Sequence, residues 1–170
     1  MSLTFLLGGA RSGKSSLAVE LARRWDGPVT FIATGEPGDD EMAERIRLHR
    51  DERPDDWVTL EAPLEVRSAL TSVPAGAAVV LDCLSLWVAN LLARGDETTE
   101  IESESAAVAE LAARRVALTV AVSNEVGLGV VPPTKLGRSF RDVLGRVNAH
   151  WASEAEHAAF VVAGRSLPLS

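Results

Sequence analysis

Cysteine is nearly absent. Cys83 is the only one in 170 residues, so no internal disulfide can form, and a reducing cytoplasm is the expected setting. Positive charge is in deficit: 17 Lys and Arg against 24 Asp and Glu give a formal net charge of −7. A surface built for nucleic acid is normally basic, so no nucleic-acid partner is expected, although basic pockets can exist inside an acidic protein. No apolar run is long and clean enough to span a membrane. The nearest, Ala75 to Ala93, carries Asp82 near its middle, and a mid-bilayer Asp costs about 2.5–3.5 kcal/mol on insertion scales. It reads instead as a strand, Ala77–Leu81, followed by a helix from about Leu84. The first residues do not read as a signal peptide either, because the first basic residue, Arg11, follows the short apolar stretch instead of preceding it. Neither an internal repeat nor a linker is visible, so residues 1–170 are expected to form one domain.

What is present is an ordinary globular composition, 46% hydrophobic and 24% charged, organised around one stretch near the start. Gly8-Gly9-Ala10-Arg11-Ser12-Gly13-Lys14-Ser15 fits G-x-x-x-x-G-K-[ST], the phosphate-binding P-loop. The motif requires a strand before it and a helix after it. Leu3–Leu7 reads as the strand, and Ser15–Ala22 as the opening of the helix. Glycines let several backbone N–H groups converge on one anion, and the helix adds its positive end. Lys14 then addresses the β- and γ-phosphates, and the Ser15 hydroxyl is the expected Mg²⁺ ligand.

Apolar runs alternate with helical patterns through the rest of the chain. Strands are expected at Val29–Ala33, Trp57–Leu60, Ala77–Leu81, Val116–Val122 and Phe160–Ala163. Helices are expected at Asp39–Arg53, Leu64–Leu70, Leu84–Leu92, Ala106–Arg115 and Thr134 to about Ala155, with Gly95–Ser105 a solvated loop and helix start. This alternation predicts an α/β protein with a mainly parallel central sheet.

Three further stretches carry chemistry. Val79-Val80-Leu81-Asp82 is an apolar strand ending in a carboxylate. In P-loop proteins that position supplies a second Mg²⁺ ligand; alternatively Asp82 caps the helix near Leu84. On the predicted helix 39–53, Met42, Ile46 and His49 share one face, while Arg45, His49 and Arg53 form a stripe at four-residue spacing. His49 is thus either a core histidine or, among arginines that hold phosphate oxygens, a neutral imidazole able to attack phosphorus. The stretch Val122–Pro132 follows a buried strand, at the end where open α/β sheets bind ligands. On the helix beyond it, Leu136, Phe140, Leu144, Val147 and Trp151 form an expected core stripe. Arg138, Arg141, Gly145 and Asn148 form a polar one, either a solvated face or a substrate wall. The roles of Arg138, Arg141 and Glu125 are not settled by these patterns. Asp142-Val143-Leu144-Gly145 spells D-x-x-G, but it lies mid-helix with no N-K-x-D after it, which argues against a GTPase switch. A P-loop kinase of another small metabolite, with His49 in the core, remains the alternative enzyme.

Taken together these residues resemble the bifunctional adenosylcobinamide kinase/adenosylcobinamide-phosphate guanylyltransferase family of cobalamin biosynthesis. The resemblance rests on Gly8–Ser15, Phe31–Thr34, the block from Asp39 to Pro54, Thr59-Leu60-Glu61, Asp82 with Asn90-Leu91-Leu92, Ser123–Gly127, and Gly137-Arg138 to Asn148. It runs in family order over essentially the whole chain. It implies a RecA-like, three-layer P-loop NTPase fold and two activities. The first phosphorylates adenosylcobinamide with GTP or ATP. The second transfers GMP from GTP to adenosylcobinamide phosphate through a covalent GMP-histidine. The histidine position falls on His49. The nucleotide contacts fall on Gly8, Gly9, Ala10, Arg11, Ser12, Gly13, Lys14 and Ser15, then on Ala33, Thr34, Gly35, Arg50, Asp51, Glu52, Arg53, Glu61 and Asp82. Lys14 is the implied catalytic cation of the kinase step, Mg²⁺ on Ser15 and Asp82 the implied cofactor, and a homotrimer the implied assembly. The chain departs from the family pattern at Ala149, where Gln is common, and at Leu48, where some members have a second histidine. His150 and His157 are assigned no chemistry. Base preference in the kinase step and the corrinoid site are not specified.

Overall fold

The computed structural model describes residues 3–36, 38, 44, 47, 50 and 53–169. Seven strands form one sheet: β1 (Leu3–Gly8), β2 (Val29–Ala33), β3 (Val58–Glu61), β4 (Ala78–Asp82), β5 (Thr119–Asn124), β6 (His157–Val162) and β7 (Arg165–Leu169). The helices whose full extent lies among the described residues are α1 (Lys14–Ala22), α2 (Val66–Ser72), α3 (Leu84–Arg94), α4 (Thr98–Ala113) and α5 (Lys135–Glu154). The spatial order is β3-β2-β4-β5-β1-β6-β7. All neighbouring pairs run parallel except β6 with β7. The predicted helix 39–53, including Met42, Arg45, Ile46 and His49, lies mostly outside the described residues.

The sheet is buried on both faces, which is why its central strands read as continuous apolar runs instead of alternating ones. Successive side chains point to opposite sides. Phe5, Ile32, Val79, Leu81 and Ala121 join the larger core with residues of α2, α3, α4 and α5, among them Leu70, Trp87, Val108 and Trp151. Leu6, Phe31, Val80, Val120, Val122 and Val161 join the smaller core with Ala18 and Ala22 of α1. Helices on both faces of one sheet make three layers. The segment Ala75–Ala93 divides into β4 and α3, and no helix of the described residues is long and apolar enough to cross a membrane.

Several boundaries differ from expectation. Helix α4 begins at Thr98, inside the acidic stretch. Glu97 and Glu100 form a reciprocal capping box there, so acids that looked like loop residues satisfy a helix N-terminus. Strand β5 begins at Thr119, leaving Val116 82% exposed. Strand β6 begins three residues early, and β7 was not anticipated. Its Pro168 and exposed side chains disguise it, yet both suit an edge strand. Ala163 and Gly164, with φ of 52° and 73°, make the tight turn between the two.

On α5 the core stripe is Val143, Leu144, Val147 and Trp151, with Phe140 packed against it. Leu136 is 65% exposed, because the first turn of α5 holds the preceding loop instead. Thr134 Oγ1 accepts from Gly137 N at 3.1 Å, and Arg138 donates to the carbonyls of Pro132 (3.1 Å) and Pro133 (2.8 Å). Arg141 pairs with Asp142, Gly145 is exposed, and Asn148 is buried, so the proposed polar stripe is not one continuous wall. The Asp82–Cys83 peptide is cis.

Candidate nucleotide site

The P-loop closes the C-terminal end of β1. Arg11 and Gly13 take positive φ, 55° and 98°, and this curls residues 9–13 so that Ser12 N reaches Gly9 O at 3.3 Å. Gly13 then caps α1, whose first full turn is set by Leu17 N donating to Gly13 O at 3.0 Å. Lys14 opens the helix and is 6% exposed. Its ammonium folds back over the loop and donates to Gly9 O at 2.7 Å. The start of α1, the curled backbone and this cation thus lie together at one loop, the set of groups that holds an anionic phosphate.

Gly8 cannot carry a side chain here: a Cβ would stand 2.2 Å from the Val161 carbonyl oxygen. The loop is also braced by the β6–β7 turn, where Gly164 N donates to Ser12 O at 2.9 Å. The Ser12 hydroxyl is buried with no hydrogen-bond partner among the described residues. Ala10 and Arg11 are exposed, Gly9 and Ser15 half-buried.

Beside the P-loop lies a charged rim. Ala33 is in register with Glu61 on one side and Asp82 on the other, so β2, β3 and β4 deliver their last residues to one edge. Arg50 forms an ion pair with Glu61. Arg53 lies with its guanidinium 3.5 Å from the centre of the Phe31 ring, a cation–π placement. Burial lowers the Arg53 pKa from its ordinary value; Asp82 opposes that shift, Arg50 adds to it and Glu61 opposes it. Arg53 Nε is buried without a partner among the described residues. Asp82 does not cap α3: Cys83 occupies the cap position and no side chain bonds there. The Asp82 carboxylate is half-buried.

A string of buried polar groups joins this rim to the P-loop. Cys83 Sγ lies 3.0 Å from Ser85 Oγ, which accepts from Asn124 Nδ2 at 2.7 Å. Asn148 Nδ2 donates to Asn124 O at 3.1 Å, and Ser123 Oγ to Asn148 Oδ1 at 2.6 Å. Glu125 N donates to Gly8 O at 3.0 Å, tying the loop after β5 to the P-loop strand. The Cys83 thiol is pushed up to about 11, first by burial and then by the Asp82 charge, while Lys14 acts in the opposite sense. Lys14 and Asp82 therefore act on the same buried thiol.

The structure thus brings together, along one edge, Gly8–Ser15, Ala33, Thr34, Gly35, Arg50, Arg53, Glu61 and Asp82. His49, Asp51 and Glu52 lie outside the described residues. Ser85 was not singled out by sequence reasoning. Its signal was a lone hydroxyl beside Asn90 in the otherwise apolar run Leu84–Leu92, since a buried polar group needs a partner. Among the described residues no cluster of three or more His, Cys, Asp or Glu could hold a metal ion. The oxygens of Ser15 and Asp82 still suit Mg²⁺, a hard cation that keeps several waters and takes its remaining ligands from phosphate.

Fold and site together define a P-loop nucleotide-binding α/β protein. Solved structures agree on the fold. A prototypical ATPase from the type III secretion system of pathogenic bacteria superposes with a TM-score of 0.56 at 12% identity, over 98% of this chain and 56% of that one. The assembled ATPase EscN of enteropathogenic E. coli gives 0.54 at 12% identity, over 95% and 43%. The chain spans about half the length of these ATPases, and at such identity the likeness is one of fold. The family is shown by sequence. The profile of cobinamide kinase / cobinamide phosphate guanyltransferase matches residues 4–169. The bifunctional adenosylcobalamin biosynthesis protein CobP of Pseudomonas aeruginosa is 43% identical, over 96% of this chain and 95% of that protein. Its counterparts named CobU are 39% identical in Salmonella typhimurium and 37% in Escherichia coli, each over 95% of this chain and 96% of theirs. The chain belongs to the cobinamide kinase/cobinamide phosphate guanyltransferase family of enzymes.

Proposed function

We propose that this enzyme performs two successive transfers onto one acceptor. In the first, the terminal hydroxyl of adenosylcobinamide attacks the γ-phosphorus of GTP or ATP, giving adenosylcobinamide phosphate and the nucleoside diphosphate. In the second, GMP passes from GTP to that phosphate, giving adenosylcobinamide-GDP and pyrophosphate. The observation that carries the reading is the P-loop on a chain that matches the family from residue 4 to residue 169: Lys14 is seated on the curled loop, with Asp82 at the end of β4 on the same edge.

In the kinase step, Lys14 and the loop amides stabilise negative charge developing on the transferred phosphoryl. Ser15 and Asp82 would hold Mg²⁺, which would supply neutralisation of phosphate charge. In the transferase step, His49 attacks the α-phosphorus. One P–N bond forms, the bond to the β-phosphate oxygen breaks, and pyrophosphate leaves. The acceptor phosphate then attacks the phosphoramidate and frees His49. Arg50 and Arg53 stand at the rim where phosphate oxygens of the second nucleotide pose would lie, with Glu61 holding Arg50 in place. The family resemblance also supports a homotrimer and a cytoplasmic setting.

The test uses GTP labelled at either the α- or the γ-phosphate. Acid-labile, alkali-stable label should appear on the protein from the α position alone and vanish in His49→Ala. Label from the γ position alone would overturn the scheme. Phosphorylated acceptor without any covalent nucleotide would instead favour a simple metabolite kinase.

A further inference from the structure

The family resemblance carries Thr34 over as a nucleotide contact. Its surroundings assign it other work. Thr34 is fully buried, at 0% exposure, and each of its polar groups is already used. The hydroxyl donates to Cys83 O at 2.7 Å and accepts from Cys83 N at 2.8 Å. The backbone N–H donates to Asp82 O at 3.2 Å. The carbonyl accepts from Asn90 Nδ2 at 2.8 Å, and the same amide group donates to Pro63 O at 3.0 Å. Both of its donors, the N–H and the O–H, are spent inside the protein, and the residue exposes no surface to an approaching ligand.

These bonds share a geometry. Three of them end on the backbone of Asp82 and Cys83, where β4 stops and α3 starts. The fourth, through Asn90, reaches the chain leaving β3 just past Glu61. Thr34 and Asn90 therefore hold the ends of β2, β3 and β4 at fixed separation, and the Asp82 carboxylate stands on the residue so held. We propose that Thr34, backed by Asn90, is a positioning residue that aims Asp82 at the metal of the metal–nucleotide complex and does not touch the nucleotide. This rests on the reading above in which Asp82 is a Mg²⁺ ligand. A side-chain hydroxyl that donates to the carbonyl of Cys83 and accepts from its N–H bonds the two successive peptides flanking that residue, and so fixes it more tightly than a single bond would. Partners one step removed from a metal ligand commonly govern metal affinity.

The test separates metal affinity from nucleotide affinity. Binding of the non-hydrolysable analogue guanosine 5′-[β,γ-imido]triphosphate is measured in EDTA, and Mn²⁺ affinity of the protein–analogue complex by electron paramagnetic resonance. Thr34→Val should weaken Mn²⁺ binding by about 10–100-fold, leave analogue binding in EDTA within roughly twofold, and be rescued by Thr34→Ser, which keeps the hydroxyl. Should Thr34→Val fail to fold, Asn90→Ala, which removes the bond to Thr34 O, is read in the same way. Equal loss of analogue affinity with and without metal would make Thr34 a nucleotide contact and overturn the proposal, as would unchanged Mn²⁺ affinity. Asp82→Asn distinguishes the two levels. Normal Mn²⁺ affinity in that variant removes the metal role of Asp82 itself. Weak affinity there with normal affinity in Thr34→Val removes only the positioning role.

Discussion

Gly8 and Gly9 are adjacent glycines of one motif, yet they should respond oppositely to a single methyl group. A Cβ on Gly8 would meet the Val161 carbonyl oxygen at 2.2 Å and Ser12 Oγ at 2.8 Å. A hydroxyl can rotate away; the carbonyl cannot. It belongs to β6, whose register places Val161 directly beside Gly8, so reaching ordinary contact means parting the two strands by roughly 1 Å at the mouth of the P-loop. Overpacking of this kind costs about 1–3 kcal/mol. For a chain of this length each kcal/mol moves the melting temperature by about 2–4 °C, which gives a fall of roughly 2–12 °C for Gly8→Ala. At Gly9 the same methyl meets nothing within 4 Å, so Gly9→Ala should stay within about 0.5 kcal/mol of wild type. The assay is thermal and urea unfolding of the ligand-free proteins side by side. A Gly8→Ala protein that melts with wild type, or a Gly9→Ala protein that falls as far as Gly8→Ala, would refute the reasoning.

Lys14→Ala should lower phosphorylation of cobinamide on the order of 10²–10³-fold, the loss that follows removal of one preorganised donor; near-normal transfer from γ-labelled GTP would remove the P-loop from the kinase step. The Cys83 thiol, at about 11 when folded against an ordinary 9.0, binds its proton more tightly in the native state. Its contribution, about 2–3 kcal/mol at most, is therefore full below pH 9 and lost as pH rises through about 11. Between pH 8 and 10.5 wild type should lose unfolding free energy faster than Cys83→Ala, and parallel curves would contradict this. Trp151 is fully buried and donates to Ser105 Oγ at 2.9 Å, joining α5 to α4. Trp151→Ala should cost about 3–5 kcal/mol, and Ser105→Ala about 1–3 kcal/mol because it strands the indole N–H, both read by denaturant titration.

Much of the scaffold was legible because burial on both faces writes itself into composition. Val79-Val80-Leu81 and Val120-Ala121-Val122 could hardly be anything but central strands of a covered sheet. The P-loop was legible because its chemistry is local: loop, lysine and helix start are consecutive in the chain. Elements whose partners are distant were harder. Nothing near Arg165–Leu169 suggests a strand, since its only reason to be extended is β6, reached through a tight turn. Leu136 looked like core by spacing alone, but the turn carrying it serves the Pro132–Pro133 loop. The bonds that join Thr34 to Cys83, and Asn124 to Ser85, link positions dozens of residues apart, and no spacing rule connects them. Asp82 was placed by its strand, while the groups that hold it in place emerged only with the tertiary structure.

The hydrogen bond from Gly164 to Ser12 also has a consequence for biosynthesis. Both neighbours of β1 in the sheet, β5 and β6, are translated long after it, and so is the turn that braces the phosphate loop. Leu3–Leu7 leaves the ribosome before either partner, as an apolar strand whose two sheet edges stay open until β5 and β6 follow. An exposed strand of that kind invites association with other chains. The nucleotide cradle is thus made before the two strands and the turn that complete it.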